Sequence, residues 1–106
     1  MNPEDEKLLE LARAARARIQ AEQGAAVRDE TGRSYAGATV WLPSLRIAAL
    51  DLALAGAVAA GSRGLEGVVV VGGEAPRLEA VRELAGSGVP VWHCDARGRV
   101  LAQLVS

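Results

Sequence analysis

The sequence predicts an α/β fold, a mixed sheet of about five strands with helices on both faces, and three observations carry that expectation. Leu45 to Ala60 is apolar on nearly every side, so as a helix it must be covered almost all round. Val68 to Val71 follows within a few residues, and an uninterrupted β-branched run suits a strand buried on both faces of a sheet. Helical and extended patterns alternate along the chain in the order αββαβαββ.

The first helix opens at Pro3, capped by Asn2, with Glu4, Asp5 and Glu6 at the positive end of its dipole and Arg13, Arg16 and Arg18 towards the other. Leu8, Leu11, Ala12, Ala15 and Ile19 form one apolar stripe, and the helix is expected to stop near Gln23-Gly24. Ala25 to Val27, the turn Asp29-Glu30-Thr31-Gly32, and Tyr35 to Leu42 read as a hairpin in which Gly32 supplies a positive φ. Pro43-Ser44 breaks the second strand, and Ser44 is placed to cap the central helix, which ends near Gly61. After the valine strand, Gly72-Gly73 leads to a third helix with Pro76 in its first turn and Leu78, Val81, Leu84 and Ala85 on its buried face. Val89 to Cys94 returns as a strand, Asp95-Ala96-Arg97-Gly98 turns, and Val100 to Val105 is a short final strand or a frayed end.

Composition narrows the function classes. With 106 residues the chain reads as one domain, 1–106, small enough that burying a subunit interface would help it, so a homo-oligomer, dimer or tetramer, is expected through the Leu45 to Ala60 helix. A further protein partner is compatible with this. Half the residues are hydrophobic but only Tyr35, Trp41 and Trp92 are aromatic, so Ala, Val and Leu must fill the core and backbones must approach closely. A net charge of −1 with scattered arginines gives no footprint for nucleic acid. No apolar run reaches the roughly 18 residues of a membrane span, and the acidic start is unlike a signal peptide. One cysteine, Cys94, excludes an internal disulfide, and a cytoplasmic location is the expectation.

Two segments carry a resemblance. Gly24-Ala25-Ala26-Val27, the turn with Gly32, and Tyr35-Ala36-Gly37-Ala38-Thr39-Val40 resemble the first hairpin of the small homotetrameric cytidine deaminases, whose pattern is Gly-Ala-Ala-Val, a turn with Gly, then Tyr-x-Gly-x-Asn-Val-Glu-Asn. The apolar helix, the valine strand, Pro76 and the closing strands follow in that family's order. The resemblance implies a cytidine-deaminase-like three-layer α/β/α sandwich, and it implies a site.

Residue by residue, the implied site is altered. The family's ribose-holding Asn and Glu fall on Thr39 and Trp41. Its Cys-Ala-Glu, which supplies a zinc thiolate and the proton-shuttling acid, falls on Ala48-Ala49-Leu50, and no shift of register finds a Cys, His or Glu between Leu42 and Ser62. Its Pro-Cys-x-x-Cys falls on Pro76-Arg77-Leu78-Glu79-Ala80. The family's base-packing aromatic falls near Ala21, and its longer C-terminal tail is missing. Zinc in such a site needs three soft ligands and an open position, and this chain has one cysteine and one histidine.

These substitutions predict a degenerate member with no catalytic residue, no metal and no cofactor: a non-catalytic, homo-oligomeric scaffold or regulatory module, a pseudoenzyme rather than an enzyme. The alternative is a module binding a nucleoside-type ligand in a remodelled pocket bordered by Thr39, Trp41, Ala48, Leu50 and Arg77, and an active deaminase ranks last. Trp41 is read as a plug in the vacated cavity, with a platform for a flat ligand as the alternative. His93 and Cys94, adjacent on a strand, point to opposite faces and are read as packing. Gly72-Gly73 is read as a strand end and not a phosphate cradle, because Glu74 sits at its mouth.

Overall fold

The structure is a computed structural model describing residues 1–106, and it builds one five-stranded sheet with helices on both faces. In chain order the elements are α1 (Pro3–Ile19), β1 (Gly24–Asp29), β2 (Ser34–Ala38), β3 (Val40–Leu42), β4 (Leu45–Ile47), α2 (Ala49–Ala59), β5 (Leu65–Val71), α3 (Glu79–Ala85), β6 (Pro90–Cys94) and β7 (Val100–Val105). The sheet order is β2-β1-β5-β6-β7, with β3 and β4 forming a separate two-stranded ribbon. Only β5 and β6 run parallel, joined through α3, and every other neighbouring pair is antiparallel.

Strand alternation divides the core in two. Ala25, Val27, Val68, Val70 and Val91 face α2 and α3, whereas Ala26, Val69, Val71 and Cys94 face α1. The valine run is buried on both faces, as its composition predicts. Small residues let the layers close. A Cβ on Gly37 would stand 2.9 Å from the Ala49 carbonyl oxygen and 3.0 Å from the Ala53 nitrogen of α2. A Cβ on Gly24 would meet the α1 backbone at Ala12 and Arg16.

The helix α1 begins as its sequence indicates, with the Asn2 side chain accepting from the Asp5 amide at 2.7 Å. It ends earlier than expected, at Ile19, with Gln20 in the left-handed region at φ 51°. Gly24 is the first residue of β1 and not a helix stop, because the chain must turn back before that residue to run under α1. The helix is alone on its side of the sheet, so only the narrow stripe Asp5, Leu8, Ala12 and Ala15 is covered, and Leu11 and Ile19 remain exposed. Within that layer Arg28 pairs with Asp5 at 3.0 Å, and Trp92 Nε1 donates to the same carboxylate at 3.1 Å.

The main departure lies between Val40 and Ile47. The expected long strand stops at Ala38, and the expected helix from Leu45 starts only at Ala49, with Ala48 as a cap that offers no side-chain bond. Between them β3 and β4 pair across the Pro43-Ser44 turn, Trp41 opposite Arg46, and Ser44 lies in that turn and caps nothing. Thr39 marks the divergence: its amide and hydroxyl are engaged by Gln23, which ends the β1–β2 ladder. The helix α2 is also not covered all round, since Ala49, Leu50, Ala53, Leu54 and Ala57 are buried while Ala55, Gly56, Val58 and Ala59 face outward. The third helix starts at Glu79, leaving Pro76 in extended chain ahead of it. Val100 to Val105 is a full strand paired with β6.

The turns after β1 and β6 share one construction. Asp29 Oδ1 accepts from the Thr31 and Arg33 amides, and Asp95 Oδ1 accepts from the Arg97 and Arg99 amides, with Gly32 and Gly98 at φ 88° and 91°. Asp29 is bonded further: the Ser62 hydroxyl donates to Oδ2 at 2.6 Å and the Thr31 hydroxyl to Oδ1 at 2.7 Å. Those hydroxyls hold its carboxyl at about 2, below the ordinary 3.8.

Two outcomes follow for stability. Gly37→Ala must push α2 off β2, at a cost of about 1–3 kcal/mol, readable as a lower urea midpoint with an unchanged slope. Asp29 has a folded pKa below its unfolded one, so its carboxylate contributes stability that is fully present above about pH 4 and lost as the pH falls towards 2. Urea midpoints measured from pH 7 to pH 2 are therefore expected to drop less steeply below pH 4 in Asp29→Asn than in the wild type, from a lower starting value.

Candidate functional site

Outside the carboxyl end of β5, where ligands commonly bind in open α/β sheets, the chain forms a two-part cleft. One part, about 250 Å³, is lined by residues including Gln23, Thr39, Trp41, Arg46, Ile47 and Ala48. The other, about 280 Å³, is lined by residues including Ala48, Leu50, Asp51, Glu74, Pro76 and Arg77. Glu22, Gln23 and Ala48 belong to both. Of the five positions singled out in the sequence, Thr39 and Trp41 line the first part, Leu50 and Arg77 the second, and Ala48 both.

Trp41 does not plug it. The indole is 70% exposed, and the Arg46 guanidinium carbon lies 4.3 Å from its ring centroid. The β3–β4 ribbon explains this position, because it places Trp41 directly opposite Arg46 at the rim and carries the ring away from the sheet. The expected plug is therefore replaced by an open cleft with a stacked aromatic and cation at one end.

Gln23, which the sequence did not mark, organises the floor. Its side-chain amide donates to the carbonyls of Gly72, at 3.0 Å, and Glu74. Its backbone amide donates to Thr39 Oγ1 at 3.0 Å, and its carbonyl accepts from the Thr39 amide at 3.0 Å. Thr39 is thereby a positioning residue. The only sequence signal for Gln23 is an amide side chain immediately before Gly24, too common to stand out.

His93 is buried, and its Nε2 lies 3.2 Å from the carbonyl oxygens of both Gly72 and Gly73, so that nitrogen carries the proton and the ring is a structural donor. Cys94 packs on the α1 side with Ala26 and Val69, and burial pushes its thiol pKa up. The two side chains do not meet. Gly72 and Gly73 end the strand with positive φ, held by Gln23 and His93.

The remaining polar groups of the second compartment are Glu22, Asp51, Glu74 and Arg77. Arg77 Nε donates to Glu79 at 3.0 Å, and its side chain is 90% exposed. No three His, Cys, Asp or Glu side chains gather closely enough to hold a metal ion. At the positions where the resemblance implies zinc thiolates stand Ala48, Arg77 and Ala80, two methyl groups and a cation, so the residues present do not fit a zinc ion. No helix is long and apolar enough to cross a membrane.

Comparison with known proteins gives the fold a relative. A family model described as cytidine deaminase-like matches residues 1–98. A crystal structure of cytidine deaminase from Burkholderia pseudomallei matches all of this chain and 92% of that one, at 28% identity and a TM-score of 0.76. Cytidine deaminases from Mycobacterium tuberculosis and Mycobacterium leprae, each 21% identical, match 93% and 87% of this chain and 89% of their own, with TM-scores of 0.73 and 0.72. No sequence among the curated proteins matches.

These matches correct one expectation. The chain was expected not to be an enzyme, but the structures it resembles are enzymes, one of them matching along the whole of this chain, and the altered donors describe the cleft's chemistry without showing that turnover is lost. The mixed five-stranded sheet with three helices, the family model and the matched structures agree, and the chain belongs to the cytidine deaminase-like family as a degenerate member, with Ala48 and Leu50 where the resemblance places a thiolate and the acid.

Proposed function

We propose that this chain binds a nucleoside-type ligand in the cleft between Trp41 and Arg77, and that it does so as a homo-oligomer joined through the outer face of α2. The observation that carries the ligand reading is the open cleft beside Trp41. An exposed indole at its rim offers a stacking surface for a planar base. The adjoining compartment presents Glu22, Asp51 and Glu74 as acceptors for hydroxyl and amino groups, and Arg77 as a donor. The matched structures are of cytidine deaminases, which makes cytidine and uridine the first ligands to try.

The oligomer reading rests on the half of α2 that its own sheet leaves open. Ala55, Gly56 and Ala59 would let another helix approach closely, and Val58 is 57% exposed beside a groove of about 520 Å³ between α2 and α3. Leu54, Ala80 and Leu84 also line it.

Cytidine and uridine are expected to raise the melting temperature with dose, because a ligand stabilises only the state that binds it; about 2.7 kcal/mol accrues at a hundredfold excess over Kd. Trp41→Ala is expected to weaken that binding by about 1–3 kcal/mol, the value of one base–aromatic stack. Ammonia release is read in the same samples. A flat melting temperature across the nucleosides would remove the ligand reading. Separately, light scattering is expected to give a dimer or tetramer for the wild type and a smaller particle for Val58→Arg with unchanged far-UV circular dichroism. A monomeric wild type would remove the oligomer reading.

A further inference from the structure

We infer that Arg77 is the cation of the second compartment, a guanidinium rather than a metal ion meeting a carbonyl oxygen of an uncharged ligand. The inference rests on the nucleoside reading and adds what the second compartment selects. Of the residues lining that compartment, Arg77 is the sole cation, set among Glu22, Asp51 and Glu74. Its Nε is bonded to Glu79 at the surface, and both Nη nitrogens are without a protein partner. A guanidinium stays charged at every working pH and presents its donors in a plane, which suits a ring carbonyl.

The disagreement with zinc points the same way. Ala48 and Ala80 offer no donor, His93 is bound to the Gly72 and Gly73 carbonyls, and Cys94 is buried on the opposite side of the sheet. A divalent ion entering here would face the guanidinium with no soft ligand to hold it. The three carboxylates then set the ligand's charge. They accept from its N–H and O–H groups but repel a phosphate, so the compartment suits a nucleoside over its 5′-monophosphate.

Calorimetric titration of the full chain with cytidine, uridine and cytidine 5′-monophosphate tests this, with Arg77→Ala and Arg77→Lys beside the wild type, each with chelator and with added zinc. Arg77 is 90% exposed, so neither substitution threatens the fold, and circular dichroism verifies that. The expected result is nucleoside binding indifferent to chelator, at least about tenfold weaker in Arg77→Ala, intermediate in Arg77→Lys, and weaker for the monophosphate than for the nucleoside. Metal analysis is expected to find no stoichiometric zinc. Wild-type binding that Arg77→Ala leaves intact, or that chelator abolishes, or about one zinc per chain, would overturn the role of Arg77 while the nucleoside reading stands. Wild-type protein that binds none of the three ligands would overturn both.

Discussion

Two glycines on neighbouring strands let a helix close on each face of the sheet. Gly24 opens β1 opposite Ala38, and Gly37 of β2 lies opposite Ala25, so the two are diagonal neighbours in the sheet. Gly24 admits the backbone of α1 on one face and Gly37 admits that of α2 on the other. The cleft is assembled from what adjoins that point: Glu22 and Gln23 ahead of Gly24, Thr39 after Ala38, and Ala48 ahead of α2. With almost no aromatic residues to fill a wider layer, close backbone contact is how this composition makes a core.

Gln23 turns that contact into a defined shape. One side chain ties the end of β5 to the start of β1, and the same residue's backbone ties β1 to the end of β2. His93 holds Gly72 and Gly73 from the neighbouring strand. Two glycines with positive φ at the end of a strand would otherwise be the most mobile part of the cleft. Their carbonyls are satisfied inside the protein, and the Gly72 amide, the kind of donor a phosphate would need, is spent on the Cys94 carbonyl at 2.9 Å.

Much of the sheet was legible because its signals are local. The capped start of α1, the valine run of β5 and the two turns built on Asp29 and Asp95 each depend on a few adjacent residues. The stretch from Val40 to Ile47 was not, because Leu45, Arg46 and Ile47 fit a helical pattern as well as an extended one and only the pairing of Trp41 with Arg46 decides between them. That pairing is also why Trp41 stands at the rim. A large aromatic at the expected end of a strand beside a vacated cavity invites the idea of a plug, whereas the ribbon that fixes its direction is a tertiary feature. Gln23 was invisible for a related reason: its partners, Gly72 and Glu74, lie about half the chain away, and they are backbone atoms with no sequence identity to recognise.

The polar residues of the cleft fall into two groups. Gln23, Thr39 and His93 spend their bonding capacity within the protein, and replacing any of them leaves buried partners unsatisfied. Trp41, Arg46, Asp51, Glu22 and Arg77 sit at the rim with ring faces, carboxylates or guanidinium nitrogens turned to solvent. Substitution at the rim therefore changes the groups the cleft presents at little cost to folding, while substitution at the frame would disturb the fold first. Of the positions where the resemblance places the family's site residues, Trp41 and Arg77 lie at the rim, whereas Thr39 belongs to the frame and Leu50 to the core. The two sets of residues answer to different physical demands, so one can be exchanged without disturbing the other.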